Sequence, residues 1–224
     1  MGFSSEIHEA LSTAYRVVAL LFLPPHRSAR RLNEELAEKL RTMGEALLYS
    51  PCPSVGEAAV ELAMRLSSCL SDTGCWNEFN GEATSIYIAG PGGAPCPPYE
   101  SVYRIPGKRK IIAVPSISES LKRYYKALGL EAVEGKGITV DHASVELEFL
   151  AALHEVEASL LAGGYPASVL EEVRSLRRKF LSEHILAWIP DFVSCLRERV
   201  RHPLLKALTG LLGFLVNCDS HISV

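Results

Sequence analysis

The sequence lacks an apolar run long enough to cross a membrane. Its longest apolar stretches, residues 17–23 and 211–216, fall well short of the ~20 residues that a membrane-spanning helix needs. The first residues also lack a basic region followed by an apolar core and a cleavage site, so we expect no signal peptide. Together these absences predict a soluble, cytoplasmic protein without a membrane span.

An excess of positive charge is also missing. The 224 residues include 23 Lys and Arg against 26 Asp and Glu, which gives a formal net charge of -3. Domains that bind nucleic acid usually carry a basic patch. The basic groups at residues 108–110 and 177–179 are short and are best explained as solvated surface. We therefore expect no nucleic-acid partner.

Closely spaced cysteine pairs are absent. The six cysteines are Cys52, Cys69, Cys75, Cys96, Cys195 and Cys218. They include no C-x-x-C pair and no Cys/His cluster with zinc spacing. Without a secretion signal, the default for such residues is a reduced, mostly buried thiol, although a Cys69–Cys75 bridge stays open. We expect neither a metal site nor a bound cofactor.

The sequence patterns of common enzymes are missing as well. None of the patterns G-x-x-x-x-G-K-[ST], G-x-G-x-x-G, H-E-x-x-H and G-x-S-x-G occurs. The glycine-rich residues 90–93 lack the following lysine and helix that a nucleotide cradle needs. We therefore expect no enzymatic activity. A small enzyme with a Cys or His nucleophile is the alternative, but its base and orienting group are not visible in the local sequence.

The sequence does have helical periodicity over most of its length. Apolar residues recur every three or four positions, with charged residues on the opposite faces. The predicted helices cover residues 7–22, 29–48, 56–70, 116–128, 141–162 and 166–185, with two more starting near 189 and 203. Residues 71–80 are predicted to form a turn-rich joint, 81–88 a short helix or turn, 111–114 a brief strand-like run, and the tail after 218 a frayed end. The prediction is a single all-α domain over residues 1–224, a bundle of roughly eight to ten helices.

A long loop rich in proline and glycine interrupts the helices at residues 86–103. Proline fixes its own backbone and glycine admits positive φ, so this run is not a regular helix. Loops of such length are often functional. An interdomain linker is the alternative, but linkers seldom end in residues such as Tyr99, Val102 and Tyr103, which usually become buried.

Asp141 and His142 stand at the predicted start of a helix. The simplest interpretation makes Asp141 the N-cap, accepting hydrogen bonds from the first amides. In the same way, Ser116 or Ser118 is predicted to cap the helix at 116–128, and Gly129 to end it. A carboxylate beside an imidazole, ahead of Glu146, is also suited to meeting a basic ligand.

Taken in order, these motifs resemble the TorD/DmsD/NarJ family of redox-enzyme maturation chaperones. The resemblance rests on Gly90-Pro91 followed by residues 97–103, on Asp141-His142 leading into residues 147–150, on residues 180–192, and on residues 202–204. It implies an all-helical chaperone. Such a chaperone binds the twin-arginine signal peptide, or a related terminal segment, of a molybdenum-containing oxidoreductase subunit and holds it for cofactor insertion before export or membrane docking.

The resemblance also implies where the peptide binds. The family's peptide-binding positions correspond here to Tyr87, Pro98, Tyr99, Ser101, Tyr103, Asp141 and His142. Glu146 joins them on chemical grounds, because guanidinium groups favour carboxylates and aromatic faces. A helical adaptor without peptide specificity is a further alternative. The client enzyme, homodimer formation by helix swapping, and the binding of a nucleotide or a molybdenum cofactor stay open at this point.

Overall fold

The protein is described by a computed structural model that covers residues 4–24, 31–88, 93–105, 114–131 and 138–222. These residues form ten α-helices: α1 (Ser5–Phe22), α2 (Glu34–Leu47), α3 (Pro53–Leu70), α4 (Thr73–Tyr87), α5 (Glu100–Arg104), α6 (Pro115–Ala127), α7 (Ala143–Ala162), α8 (Ala167–Glu183), α9 (Ile189–Arg199) and α10 (Pro203–Ile222). A 3-10 turn, Ile185–Ala187, joins α8 to α9. The all-α prediction is confirmed. Within the described ranges, no helix is long and apolar enough to span a membrane.

Helices α1 and α7 pack against each other at the centre of the bundle. From Ala10 to Phe22 every residue of α1 except Arg16 is buried. Along α7, Leu147 and Leu150 are fully buried and face the same core. A helix that is apolar nearly all round belongs in the interior. The remaining helices cover this pair, with α2 against α1, α8 against α7, and α10 between α1 and α3.

Helices α2 and α3 approach each other closely because each has a glycine at the crossing. A Cβ added at Gly56 would lie 2.7 Å from the carbonyl oxygen of Gly44 and 2.7 Å from the amide of Leu48. Such contacts are far shorter than a carbon atom tolerates, and here the obstructing atoms belong to the backbone. The spacing of these two helices therefore depends on the missing side chain at Gly56.

Several predicted helix boundaries were wrong, among them the following three. Residues 73–80 belong to α4 because the Asp72 carboxylate accepts hydrogen bonds from the amides of Gly74 (2.8 Å) and Cys75 (3.3 Å) and so starts a helix there. Helix α6 begins at Pro115 after Val114, without a serine cap. Helix α10 continues to residue 222, past the predicted frayed end. Gly129 ends α6 as predicted, with φ at 71°, and most of the strand-like run, residues 111–113, lies outside the described residues.

All six cysteines form disulfides, so the expectation of reduced thiols was wrong. The pairs are Cys52–Cys218, Cys69–Cys75 and Cys96–Cys195, with Cα atoms 5.8, 5.1 and 5.9 Å apart. These separations lie within the usual range for disulfides. Two of the bonds join residues 166 and 99 positions apart, so only the tertiary fold brings those partners together.

Candidate functional site

The Pro-rich segment, residues 93–105, lies against the start of α7. Tyr99 and His142 form an isolated antiparallel bridge. The amide of Glu100 donates to the carbonyl of Asp141 at 2.9 Å, and the amide of Ala143 donates to the carbonyl of Pro98 at 2.9 Å. The Tyr99 and His142 rings meet edge to face, with centroids 4.8 Å apart. Two motifs that are about forty residues apart in the sequence therefore form one backbone-paired unit.

The side chain of His142, and not that of Asp141, caps α7. The N-cap lies one residue later than predicted, and His142 Nδ1 accepts from the amide of Ser144 at 3.1 Å. Asp141 instead accepts from the amide of Ser101, in the first turn of α5, at 3.3 Å. It also accepts from the Thr139 hydroxyl. The predicted N-cap role of Asp141 was thus wrong, because its carboxylate accepts a hydrogen bond from the first turn of α5 and not from the first turn of α7.

Glu100 has its charge partners inside the protein. Its side chain is fully buried, and His184 Nδ1 lies 2.9 Å from Oε2. Arg104, one turn further along α5, donates to Oε1 at 2.6 Å. The other nitrogen of His184, Nε2, lies 3.0 Å from the Ser120 hydroxyl of α6. A buried carboxylate needs such partners, and Glu100 therefore joins α5, α6 and the end of α8.

Glu146, by contrast, is only half satisfied. The indole Nε1 of Trp188 donates to Oε2 at 3.0 Å. Oε1 is buried and has no hydrogen-bond partner among the described residues. Burial, followed by the negative charge of Glu100, raises the pKa of Glu146 well above its usual value, and Asp141 adds to that effect. The structure thus favours a neutral, protonated carboxyl at this position.

A row of aromatic rings extends from Trp188 to α4. The Tyr103 ring centroid lies 5.5 Å from that of Trp188 and 5.8 Å from that of Phe192, while Phe192 and Tyr87 are 6.4 Å apart. Phe22 of α1 contacts Tyr87 and Phe192 from the core side. The hydroxyls of Tyr87 and Tyr103 are buried without a hydrogen-bond partner in the part of the chain that is described. Burial raises the pKa of both tyrosines, so both keep a hydrogen to donate.

The structure brings most of the predicted site residues together. Pro98, Tyr99, Ser101, Asp141 and His142 lie at the interface between the Pro-rich segment and α7, where the Ser101 hydroxyl is a further buried group without a described partner. The others connect to this interface through Trp188 and the aromatic row: Glu146, Tyr103 and, at the far end, Tyr87. Gly90-Pro91 lies outside the described residues. Of the eight predicted residues, seven are buried and Tyr103 is half-buried, so the site is closed in this structure.

Sequence reasoning missed His184, Trp188 and Phe192 as members of the site. The Trp188–Phe192 pair has the i,i+4 spacing that places two rings on one face of a helix, and this signal was visible. The Trp188–Glu146 hydrogen bond and the His184–Glu100 pair join residues 42 and 84 positions apart. Such pairings follow from helix packing and leave no mark on the local sequence.

A cavity of about 630 Å³ lies beside the site, between α1 and the first half of α7. Its lining is largely apolar and includes Leu20, Leu23, Val145, Phe149 and Ala152. Arg16 also lines it and forms ion pairs with Glu148 and Glu155 at its wall. Tyr125 and Ser144 line the cavity too, and both lie close to the Asp141–His142 segment. The cavity thus lies beside the Asp141–His142 segment, although none of the eight predicted site residues is among those that line it.

A second polar cluster lies in the core, away from this site. The Nδ1 atoms of His8 and His154 are 2.9 Å apart, and His154 Nε2 lies 3.1 Å from Asp219. Arg177, which was predicted to lie at the solvated surface, is instead buried and donates to the carboxylates of both Glu157 and Asp219. Burial lowers the pKa of His8 to about 3, and the charges of His154 and Arg177 act in the same direction. Although His8, His154 and Glu157 are metal-ligand types, the arginine beside them repels a cation, so the cluster is best explained as a structural network.

Three comparisons place the chain among known proteins. The sequence profile of the nitrate reductase delta subunit family matches residues 30–194, a stretch that contains every residue of the site. The chaperone protein TorD of Escherichia coli is 34% identical over 101 residues, 45% of this chain and 47% of that protein. A chlorate reductase assembly chaperone of Ideonella dechloratans is 36% identical over 76 residues, 34% of this chain and 38% of that protein.

The matched stretch thus spans about half the length of the TorD relative and less of the other. A solved structure of a proposed redox enzyme maturation protein from Archaeoglobus fulgidus aligns over 92% of this chain and 91% of that one, at 19% identity. The TM-score of this alignment is 0.45.

Proposed function

Because this chain belongs to the nitrate reductase delta subunit family, we propose that it is a maturation chaperone for a molybdenum-containing oxidoreductase. Relatives named as the TorD chaperone and as a chlorate reductase assembly chaperone support this role. The proposed ligand is a terminal segment of the catalytic subunit, in particular a twin-arginine signal peptide. The chaperone would hold that segment in the cytoplasm until cofactor insertion is complete.

The observation that carries the proposal is a group of unsatisfied polar atoms at the predicted peptide-binding positions. In the described part of the chain, the hydroxyls of Tyr87, Ser101 and Tyr103 and one oxygen of Glu146 are buried without a hydrogen-bond partner. Native proteins leave few such atoms, and each calls for an explanation. A peptide that brings its own donors and acceptors into the site would satisfy them.

The two parts of the site suit the two parts of a twin-arginine leader. Guanidinium groups bind carboxylates and stack on aromatic rings, and Glu146, Tyr103 and Trp188 offer both. An apolar peptide segment needs a groove between helices. The apolar cavity between α1 and α7 lies beside the Asp141–His142 segment and is large enough to accept several side chains.

The site gives little support to the alternative of a small enzyme. The structure pairs all six cysteines in disulfides, so a thiolate nucleophile would first require reduction. His142 uses Nδ1 to accept from the Ser144 amide, and in this position the ring serves as a helix cap. We therefore propose that the protein acts by binding alone and needs no cofactor of its own.

Isothermal titration calorimetry with leader peptides from catalytic subunits of molybdoenzymes tests the proposal. We expect saturable binding of a leader peptide to the purified protein. A peptide with the same residues in scrambled order should not bind. The Tyr103→Phe variant should lose about 0.5–1.5 kcal/mol of binding free energy, roughly a twofold to tenfold weakening, without losing stability. Tyr49→Phe is the matched control because Tyr49 is 95% exposed.

Two results would contradict the proposal. Equal binding of scrambled and native leaders would favour the adaptor without peptide specificity. An absence of heat with every leader of the panel would remove peptide binding altogether.

A further inference from the structure

Glu146 is the acid of the site whose hydrogen bonding is incomplete. Glu100 contacts His184 and Arg104, and Asp141 accepts from Ser101 and Thr139. Within the described ranges, Oε1 of Glu146 has no partner, although its side chain is completely buried. Among these three acids, Glu146 is therefore the one with a carboxyl oxygen left to bind a ligand.

The surroundings of Glu146 decide its protonation state in the free protein. Two other carboxylates act on it, Glu100 of α5 and Asp141 just before α7. Arg104 is the cation that acts on it in the opposite direction, and it is already engaged by Glu100. Burial, followed by the negative charges of Glu146 itself and of these two carboxylates, raises the pKa of Tyr125 of α6. The Tyr125 hydroxyl donates its hydrogen to the carbonyl of Val140.

An ionised carboxylate without a cation is costly in such a place. The neutral acid is therefore the resting form, as its raised pKa indicates. Because Oε2 accepts from Trp188, the proton is best placed on Oε1, where it has no described acceptor.

We propose that Glu146 selects a basic side chain of the client peptide by exchanging its own proton for that side chain. This inference rests on the function proposed above and names the recognition chemistry at its centre. In the exchange, the O–H bond of the Glu146 carboxyl breaks and the proton leaves to the solvent. The carboxylate that remains pairs with the guanidinium of the peptide. The guanidinium thus takes the place of the proton, and the net charge buried at this position does not change.

Tyr103 marks the expected point of entry. It is the predicted site residue that retains solvent exposure, and its ring lies 5.5 Å from that of Trp188, which in turn bonds to Glu146. A guanidinium stacks on aromatic faces, so an arginine side chain entering beside Tyr103 can follow the indole to Oε1. The unsatisfied Tyr103 hydroxyl gives the incoming peptide a hydrogen-bond partner along this path.

The exchange makes peptide binding depend on pH. In the free protein Glu146 holds its proton to a higher pH than in the complex, where the adjacent guanidinium favours the carboxylate. Between those two pKa values each binding event releases a proton, and affinity rises about tenfold per pH unit. Below both values the dependence disappears, because the acid then stays protonated in the complex as well.

Calorimetry of one peptide in two buffers measures the released proton directly. The probe is a synthetic leader with an arginine pair followed by an apolar alanine–leucine segment, titrated at one pH in phosphate and in Tris. Because the two buffers differ in ionisation enthalpy, the difference between the observed heats gives the number of protons released. We expect a release approaching one proton per wild-type complex, and none when glutamine replaces both arginines of the peptide.

Glu146→Gln is the decisive variant and Glu171→Gln its matched control. Glutamine resembles the neutral acid and keeps an oxygen for Trp188, so the variant should fold with a melting temperature close to that of the wild type. Its binding should be at least tenfold weaker at high pH, release no proton and no longer strengthen with pH. Glu171, on α8, is exposed, paired with Arg178 and outside the cavity lining, and its replacement should leave proton release intact.

The outcomes separate this inference from the function on which it rests. Saturable binding of the arginine peptide without proton release overturns the exchange and leaves peptide binding in place. Unchanged proton release in the Glu146→Gln variant also overturns it, because the proton must then come from another group. If neither the synthetic peptide nor any natural leader binds, the proposed function itself fails.

Discussion

Replacing Asp141 by asparagine should weaken the fold only slightly, whereas replacing it by alanine should weaken it much more. The Asp141 carboxylate accepts from the Ser101 amide at 3.3 Å and from the Thr139 hydroxyl. Asparagine keeps a carbonyl oxygen for Ser101 and brings an amide hydrogen for Thr139. The change then converts charge-assisted bonds into neutral ones, a difference of about 1 kcal/mol in the free energy of unfolding.

Alanine removes both acceptors and leaves the Ser101 amide and the Thr139 hydroxyl unpaired. A buried polar group left without a partner costs about 1–3 kcal/mol. We therefore expect Asp141→Ala to cost roughly 2–4 kcal/mol in all. For a protein of this size that amounts to a fall in melting temperature of about 4–16 °C, against 2–4 °C for asparagine.

Urea denaturation followed by circular dichroism, with the disulfides intact, measures these free energies, and amide hydrogen exchange shows where they act. In the Asp141→Ala variant the Ser101 amide of α5 should lose protection while the first turn of α7 keeps it. His142→Ala should do the reverse and cost about 0.5–2 kcal/mol, as expected for a lost helix cap. Equal losses for the asparagine and alanine variants, or a loss of protection in α7 when Asp141 changes, would refute this assignment of hydrogen bonds.

Three further predictions concern the scaffold and the buried acid. Gly56→Ala should destabilise the protein by about 1–3 kcal/mol in urea titrations, since the added Cβ would lie 2.7 Å from a backbone atom of α2. Gly81→Ala, whose added Cβ meets nothing within 4 Å, should instead stabilise α4 by about 0.5–1 kcal/mol. A loss of stability at both positions would contradict the explanation of the close α2–α3 crossing. Cys96→Ser should lower the free energy of unfolding by about 2–5 kcal/mol under oxidising conditions and by little when wild type and variant are both reduced. Equal losses of stability under oxidising and reducing conditions would show that the Cys96–Cys195 bond is not formed in solution. The pKa of Glu146 is higher in the folded than in the unfolded protein, so the folded state binds more protons and the free energy of unfolding should fall as pH rises above the ordinary glutamate pKa. Glu146→Gln should reduce this pH dependence of stability in thermal melts between about pH 5 and pH 8. An unchanged pH dependence would show that the proton is held by another group.

The helical architecture could be predicted from the sequence because it depends on local periodicity. Helices α1, α7 and α10 carry apolar residues at helical spacing over several turns, and the structure has them close to the predicted bounds. Helix α4 was missed in its first half because its composition resembles a turn until Asp72 is recognised as its cap. The signal lay in one side chain and not in the periodicity.

The candidate site was only partly predictable. The family resemblance implied that Tyr99 and His142 are both peptide-binding positions, and the structure brings these two residues together. Asp141 was assigned to the helix that follows it because no local pattern reveals that Ser101, forty positions earlier, supplies the donor. The Glu146–Trp188 bond and the long-range disulfides escaped for the same reason, since each depends on which helices pack side by side.

The Cys52–Cys218 bond has a mechanical consequence. It joins the beginning of α3 to the last turns of α10, so the covalent path between the chain ends bypasses the 166 positions in between. When an oxidised molecule is pulled from both sides of this bond, the chain can extend only as far as Cys52 and Cys218, and the loop between them stays closed until the bond breaks. The eight predicted site residues, from Tyr87 to Glu146, all lie inside the bypassed loop. An unfolding motor that threads a single polypeptide strand would meet two linked strands at Cys52 or Cys218 before it reached any of these eight residues.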